Sequence, residues 1–144
     1  MRNKIAVIAA AIVLILGSAS GARAADKTAD QLVKEARVGL HEVSTGDVKK
    51  MIDSGEKVII LDVRDRNELE DGRIPGAMNI SRGMLEFKAA TMLPDRSARI
   101  IVYCGLDLRS PLAAKTLHEL GYVNVVNMAG GFKAWKAAGY AVEK

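Results

Sequence analysis

The chain has 144 residues, a formal net charge of +4 and a single cysteine. Because no run of Lys or Arg carries interleaved aromatic residues, the sequence gives no sign of a groove that tracks nucleic-acid phosphates. One cysteine excludes an internal disulfide and a C-x-x-C dithiol site. The two histidines of the chain are scattered in sequence and do not complete a set of metal ligands with the cysteine, so we expect no metal and no other cofactor.

The first 24 residues have the pattern of a secretory signal peptide. Two basic residues precede an apolar run at positions 5–16, and small residues then end in A-R-A at positions 22–24, an A-x-A cleavage pattern. The apolar run is shorter than the roughly 20 residues that a membrane-spanning helix needs. We therefore expect an exported, periplasmic protein, which would contact the membrane only if the leader stays uncleaved.

The remainder after position 24 has the size of one ordinary domain. The leader carries three basic and no acidic residues, so the formal charge falls from +4 to +1 without it. Residues 25–40 are predicted to be an N-terminal lead-in, helical from Lys27 to Val38. Residues 41–144 are predicted to form the domain itself, without an internal repeat or linker.

The domain alternates between short apolar segments and helical segments. Ser44 followed three residues later by Asp47 is typical of a helix N-terminus, and the β-branched run VIILD at 58–62 favours a strand buried on both faces. Glycines and prolines separate the later segments. The predicted elements are, in order, helix 45–54, strand 58–62, short helix 67–70, strand 77–80, helix 84–91, strand 99–104, helix 110–120, strand 124–128 and helix 132–138.

This order of elements predicts the α/β class. Strands joined through helices form right-handed crossovers, which give a mostly parallel sheet with helices on both faces. Ligands in such sheets bind outside the carboxyl ends of the strands. Asp62 and Cys104 each end an apolar strand, so both are expected at that edge.

The single cysteine has two interpretations, a buried small apolar residue or a working thiol. The loop GLDL at 105–108 leads from its strand to a helix whose N-cap we assign to Ser110, with Pro111 at the first helical position. Unpaired N–H groups and the helix dipole stabilise an anion there, including a thiolate, which makes Cys104 a candidate nucleophile. Arg109 beside it is expected to pair with an anion, either a substrate or a nearby carboxylate.

Neither histidine is expected to activate the thiol. His118 lies about 12 Å along the helix from its start, too far for a Cys-His pair through that helix. His41 is expected to be a polar residue near the first strand.

Three ordered segments resemble those of single-domain rhodaneses, a family of thiosulfate sulfurtransferases. ILDVRDRNELEDGRIPGAMNI resembles the first family signature, YCGLDLRS the active-site loop, and VVNMAGGFKAWKAAGY the closing segment. The resemblance covers about residues 43–142. It implies a rhodanese-like fold, with a five-stranded parallel sheet and flanking helices.

The resemblance also implies a ping-pong reaction. Cys104 would take the outer sulfur of thiosulfate, release sulfite, carry a persulfide and pass its sulfur to a thiophilic acceptor such as cyanide or a thiol. Asp62 and Arg64 would support the loop, whereas Gly76, Gly130, Gly131 and Trp135 are assigned to turns and packing. The residues implied to hold the persulfide and the donor anion are Gly105, Leu106, Asp107, Leu108, Arg109 and Ser110.

Two residues depart from the family pattern. Asp107 stands where the family often has glycine, and its carboxylate is expected to repel a dianionic donor unless Arg109 or the helix N-terminus neutralises it. A persulfide or a partner protein is then an alternative donor. Arg73 stands where the family often has histidine and is interpreted as a surface substitution.

Two other functions compete with this one. A sulfur-carrier or binding module of the cell envelope would use the same cysteine without steady-state turnover. Tyrosine and dual-specificity phosphatases have five residues between their Cys and Arg, whereas this loop has four, which fits sulfur better than a phosphate ester.

Overall fold

The computed structural model describes residues 26–144, so the predicted signal peptide lies outside the described residues. Two short 3₁₀ helices cover Arg66–Asp71 and Arg82–Met84. The strands are β1 (His41–Val43), β2 (Ile59–Asp62), β3 (Met78–Asn79), β4 (Ile100–Tyr103) and β5 (Val125–Met128). The helices are α1 (Ala29–Ala36), α2 (Thr45–Asp53), α3 (Leu85–Met92), α4 (Arg109–Glu119) and α5 (Gly131–Ala137).

The five strands form one parallel sheet in the order β1-β5-β4-β2-β3. In the register of the two central strands, Ile59 lies opposite Ile100 and Asp62 opposite Tyr103. The predicted α/β class with a five-stranded sheet is therefore confirmed. The register also brings the carboxyl ends of β2 and β4 together at one edge of the sheet.

Each face of the sheet packs against helices through its own hydrophobic cluster. Leu61 and Val102 point to the face that carries Leu85 and Leu117, whereas Ile101 points to the opposite face. Residues on that opposite face pack with Val48, Phe132 and Trp135. Because successive residues of a strand point to opposite faces, burial on both faces explains why these strands lack polar alternation.

The predicted start of α4 is wrong. α4 begins at Arg109 with Leu108 as its N-cap, so Ser110 and Pro111 lie inside the first turn, each two positions further into the helix than assigned. The short helix expected at 67–70 is present as the 3₁₀ helix Arg66–Asp71. Strand β1 had no predicted bounds, because a three-residue strand whose first two residues are exposed carries no apolar run.

The lead-in helix α1 begins at Thr28, whose side chain accepts a hydrogen bond from the Gln31 backbone in a capping box. It packs against α4, and Ala36 is its buried residue. Through this contact α1 joins the helices on the side of the sheet that carries α4. None of the helices among residues 26–144 is long and apolar enough to cross a membrane.

Candidate active site

Cys104 directly follows the last residue of β4 and is 1% exposed. Its side chain packs in one of the hydrophobic clusters, next to the start of the loop 105–108. Burial of this degree fits both interpretations of a lone cysteine. The surrounding loop, rather than the burial, distinguishes between them.

The amino end of α5 binds the carbonyl groups at the start of this loop. The Phe132 N–H donates to the Cys104 carbonyl at 2.7 Å, and the Lys133 N–H donates to the Gly105 carbonyl at 3.1 Å. In a trans peptide the N–H points away from the preceding carbonyl. The N–H groups of Gly105 and Leu106 therefore point away from α5.

Further along the loop, the Asp107 carbonyl accepts a hydrogen bond from the Arg37 guanidinium at 2.7 Å, which turns the Leu108 N–H away from Arg37. Within residues 26–144, the backbone N–H groups of residues 105–108 donate to no acceptor. Adjacent unpaired amides of this kind form an anion-binding concavity. The loop after Cys104 therefore has the arrangement of an anion-binding site.

Gly131 lies directly behind the loop. A Cβ on this residue would meet the Cys104 carbonyl oxygen at 2.6 Å, the Gly105 carbonyl oxygen at 2.9 Å and the Asp107 nitrogen at 3.0 Å. Its φ of +60° also favours glycine. Gly131 is thus the first residue of α5, rather than part of the preceding turn as predicted from the sequence, and it lets α5 approach the loop closely enough to bind its carbonyls.

Ser110 is fully buried in the first turn of α4. Its hydroxyl lies 3.6 Å from Cys104 Sγ and 3.4 Å from Asp107 Oδ1. Since a hydroxyl has one proton, Ser110 donates to only one of these two acceptors at a time. It is a neighbour of the sulfur rather than the helix cap that the sequence predicted.

Arg109 forms a two-pronged ion pair with Glu68, with Nη1–Oε2 at 2.6 Å and Nη2–Oε1 at 2.7 Å. The hydrogen bond from Arg109 lowers the pKa of Glu68 to about 2, and the same bond raises the pKa of Arg109. Of the two kinds of anion expected for Arg109, the structure contains the carboxylate. Glu68 is not among the residues predicted from the sequence, although its capping-box spacing from Asp65 indicates an ordered residue.

Asp62 and Arg64 form a buried ion pair at the end of β2, with Nη2–Oδ2 at 2.6 Å. The Tyr103 hydroxyl donates to the same carboxylate at 2.6 Å. Burial and the Asp62 charge raise the pKa of Tyr103. Burial is the largest single influence on Arg64 and lowers its pKa, but the hydrogen bond and charge of Asp62, together with Tyr103, outweigh burial, so the pKa of Arg64 is raised.

Arg64 connects this ion pair to the surroundings of the cysteine loop. Its guanidinium donates to the carbonyls of Glu68 at 3.2 Å and Gly72 at 2.8 Å, and it stacks 4.0 Å from the centroid of the Phe132 ring. Neither Asp62 nor Arg64 donates a hydrogen bond to residues 104–110. Support of the loop by this pair therefore runs through Phe132 and Glu68.

Asp107 is the one non-glycine residue with a positive φ, 63°, among the described residues. Its carboxylate accepts hydrogen bonds from Asn127 Nδ2 at 2.8 Å and the Gly130 N–H at 3.1 Å. It also pairs with the Arg37 guanidinium at 3.0 Å. The neutralising partner of Asp107 is thus Arg37, a residue not considered for this role from the sequence, rather than Arg109 or the start of α4.

A cleft of about 470 Å³ opens beside the loop. Gly105 and Leu106 lie on one side of it, with Glu68, Lys133 and Lys136 around them. The side chains of Leu106 and Leu108 are exposed at the surface of the loop. Arg73 lies outside this region and pairs with Glu143 at 2.8 Å on the partly exposed surface.

The fold and the site together define an α/β protein whose cysteine, at the end of a central strand, is followed by a loop of unpaired amides. The model of the rhodanese-like domain family matches residues 44–138. The chain belongs to the rhodanese-like domain family, and a sulfur-transfer function follows at the level of that family.

Three known proteins illustrate the relationship. The "Putative sulfur carrier protein YrkF" of Bacillus subtilis is 34% identical over 65% of this chain, which spans half the length of that relative. The thiosulfate sulfurtransferase GlpE of Pseudoalteromonas translucida is 34% identical over 67% of this chain and 89% of that relative. A protein of unknown function from Rhodopseudomonas palustris, described as a possible tyrosine phosphatase, superposes with a TM-score of 0.77 at 34% identity, over 84% of this chain and 98% of that one.

Proposed function

We propose that the chain is a thiosulfate sulfurtransferase that works through a persulfide on Cys104. The Cys104 thiolate attacks the outer sulfur of thiosulfate and forms a new S–S bond. The bond between the two thiosulfate sulfurs breaks, and its electron pair leaves on sulfite. A small persulfide is the alternative donor, since it offers the same outer sulfur.

In the second half of the cycle a thiophilic acceptor removes the sulfur. Cyanide attacks the terminal sulfur of the persulfide and leaves as thiocyanate, while the electron pair of the broken S–S bond returns to Cys104. A thiol acceptor reacts at the same sulfur. No cofactor enters either step, because one sulfur nucleophile accepts and releases the transferred atom.

The observation that supports this proposal is the set of unpaired amides directly after Cys104. Among the described residues the N–H groups of 105–108 have no acceptor, whereas the carbonyls of Cys104, Gly105 and Asp107 accept hydrogen bonds from α5 and Arg37. Such amides stabilise negative charge on the cysteine sulfur and on the terminal sulfur of a persulfide. Because the cysteine sulfur is buried, small donors are favoured over bulky ones.

Arg109 contributes a positive charge beside this loop. Its pairing with Glu68 makes the guanidinium part of an existing ion pair, so donor binding requires Arg109 to share or exchange that carboxylate. We propose that Arg109 attracts the donor anion in this way. The other donors to the anion are the backbone N–H groups of Gly105, Leu106, Asp107 and Leu108 and the hydroxyl of Ser110. Asp62 and Arg64 support this loop indirectly.

A carrier without turnover is the second candidate, favoured by the relative whose name describes a sulfur carrier. The carrier would use the same Cys104 persulfide and pass its sulfur to an envelope protein. A phosphatase is less favoured despite the structural neighbour described as one, because four residues between Cys104 and Arg109 make a smaller ring than the five of that class.

Steady-state thiocyanate production from thiosulfate and cyanide tests the proposal. We expect many equivalents of thiocyanate per protein molecule, and none from Cys104→Ser, which lacks the sulfur nucleophile. Production that stops after about one equivalent would favour the carrier and contradict the enzyme. Turnover that survives in Cys104→Ser would contradict the proposed nucleophile.

We also propose that the chain acts after export, without residues 1–24. The supporting observation is the A-x-A pattern that precedes Ala25. Sequencing the N-terminus of the protein from its native cells is expected to begin at Ala25. A chain that still begins at Met1 would contradict cleavage.

A further inference from the structure

Arg37 contacts the cysteine loop from outside the segment that matches the family model. It directly follows α1, whereas the family match begins at residue 44. Its guanidinium donates to the Asp107 carbonyl at 2.7 Å and pairs with the Asp107 carboxylate at 3.0 Å. The same guanidinium pairs with Glu42 in β1. Arg37 thus holds both the backbone and the side chain of one loop residue.

We propose that Arg37 is a positioning residue that keeps the anion-binding loop in its active shape by acting through Asp107. This proposal rests on the sulfur-transfer function proposed above. It assigns a role to the N-terminal helix, whose packing on α4 places Arg37 over the loop.

The backbone conformation of Asp107 is the first argument. A φ of 63° is unfavourable for a residue with a Cβ, so surrounding contacts must hold it. Asn127 and Gly130 bind the carboxylate, but Arg37 alone among the described residues binds the carbonyl. Because that carbonyl orients the following peptide, Arg37 sets the direction of the Leu108 N–H.

Charge is the second argument. Asp107 and Glu42 bring two carboxylates close to Asn127, whose amide donates to both at 2.8 Å and 3.0 Å. Arg37 is the cation that pairs with each of them. Without Arg37 the loop would face two uncompensated negative charges, which would repel a dianionic donor. The unusual aspartate is therefore compatible with an anion site because Arg37 accompanies it.

Two substitutions separate these contributions. Arg37→Gln removes the charge and the paired donors, whereas Arg37→Lys keeps the charge and loses the planar fork. Lys34→Gln is the matched control, since it removes one positive charge from an exposed position on α1. The measurements are kcat and KM with thiosulfate, the melting temperature, and the amide chemical shift of Leu108.

We expect Arg37→Gln to raise KM and to lower kcat about tenfold, since small displacements of binding groups have effects of this size. Arg37→Lys is expected to restore KM more than kcat, and Lys34→Gln to resemble the wild type. The Leu108 amide is expected to shift in both Arg37 variants, with a melting temperature near that of the wild type.

Wild-type values of kcat and KM in Arg37→Gln would overturn the proposal. An equal fall in kcat and rise in KM in Lys34→Gln would overturn it as well. If Arg37→Gln fails to fold, Asp107→Asn tests the same contact and is expected to reduce the effect of Arg37→Lys when the two are combined. If the wild type transfers no sulfur, the proposed function fails, and the Leu108 amide shift and the rate of Cys104 alkylation by iodoacetamide still test positioning. An unchanged shift and rate would then overturn it.

Discussion

The carboxyl ends of β2 and β4 lie side by side, yet their buried polar groups have opposite surroundings. Asp62, at the end of β2, is fully buried and accepts hydrogen bonds from Arg64 and from the Tyr103 hydroxyl. Cys104, after β4, is equally buried, but its sulfur has only the distant Ser110 hydroxyl as a hydrogen-bond donor among the described residues. One strand end is saturated with partners, whereas the other leaves its sulfur free to react.

This difference separates stability from chemistry at a single edge of the sheet. A buried carboxylate needs a paired cation and donors, and the Asp62–Arg64 pair with Tyr103 supplies them. In the cysteine loop, by contrast, α5 and Arg37 bind three of the carbonyls, and the amides of 105–108 have no acceptor within the part of the chain that the structure describes. Amides in such an exposed loop can bond to water, which a transient anion can replace when it completes the site.

Loss of the Asp62 carboxylate gives the largest expected effect on stability. Asp62→Ala leaves the Arg64 charge buried and unpaired, which costs about 3–5 kcal/mol in the free energy of unfolding. Urea denaturation measures this value. Cys104→Ala is the matched substitution at the other strand end, and we expect it to cost less while abolishing sulfur transfer. Equal losses of stability at the two ends would contradict the distinction.

A Cβ between α5 and the cysteine loop is expected to have the next largest effect. Gly131→Ala adds a methyl group 2.6 Å from the Cys104 carbonyl oxygen, in addition to the strain of its positive φ. Gly139→Ala is the control, since its φ is +72° and nothing lies within 4 Å of its Cβ position. The control is expected to lose about 1–2 kcal/mol from backbone strain. Gly131→Ala should lose about 2 kcal/mol more from crowding and should lower kcat. If Gly131→Ala and Gly139→Ala lower the free energy of unfolding equally, α5 does not position the loop.

Release of Arg109 from Glu68 gives the smallest effect. Glu68→Gln removes the carboxylate that competes with the donor, so we expect KM for thiosulfate to fall about threefold to tenfold. Glu70→Gln, which also removes one carboxylate near the cleft, is the control and is expected to change KM less. A higher KM in Glu68→Gln would mean that the pair holds Arg109 in its binding position.

The ion pair between Arg109 and Glu68 also predicts that the effect of Glu68→Gln on KM does not depend on pH. The pKa of Glu68 is lowered from 4.5 to about 2, so its stabilising contribution is present above pH 4.5 and is lost as the pH falls through about 2. The difference in KM between wild type and Glu68→Gln should therefore stay constant from about pH 5 to pH 8. Kinetics at several pH values check this expectation.

Much of the fold follows from local sequence patterns. The buried strands β2, β4 and β5 are continuous apolar runs, and glycines mark the ends of several helices, so their order and class are predictable. Strand β1 is harder to predict from the sequence, because two of its three residues are exposed and it forms no apolar run. The predicted N-cap of α4 is wrong because serine is a common N-cap residue, whereas the hydroxyl of Ser110 here faces the cysteine sulfur.

The candidate site was predictable only in part, for a similar reason. Cys104, Arg109 and the loop between them are adjacent in sequence and form a recognisable motif. Glu68 and Arg37 reach the loop from distant positions in the chain, and ion pairs of this kind depend on the packing of whole elements. The same holds for Gly131, whose contact with the loop exists only because α5 packs against it.

The most direct test of the account is the intact mass of the purified protein before and after exposure to thiosulfate. We predict a gain of one sulfur atom, about 32 Da, that is absent in Cys104→Ser and is removed by cyanide with release of thiocyanate. A gain that persists in Cys104→Ser would contradict the central claim that Cys104 carries the transferred sulfur. So would the absence of any gain with both thiosulfate and a small persulfide.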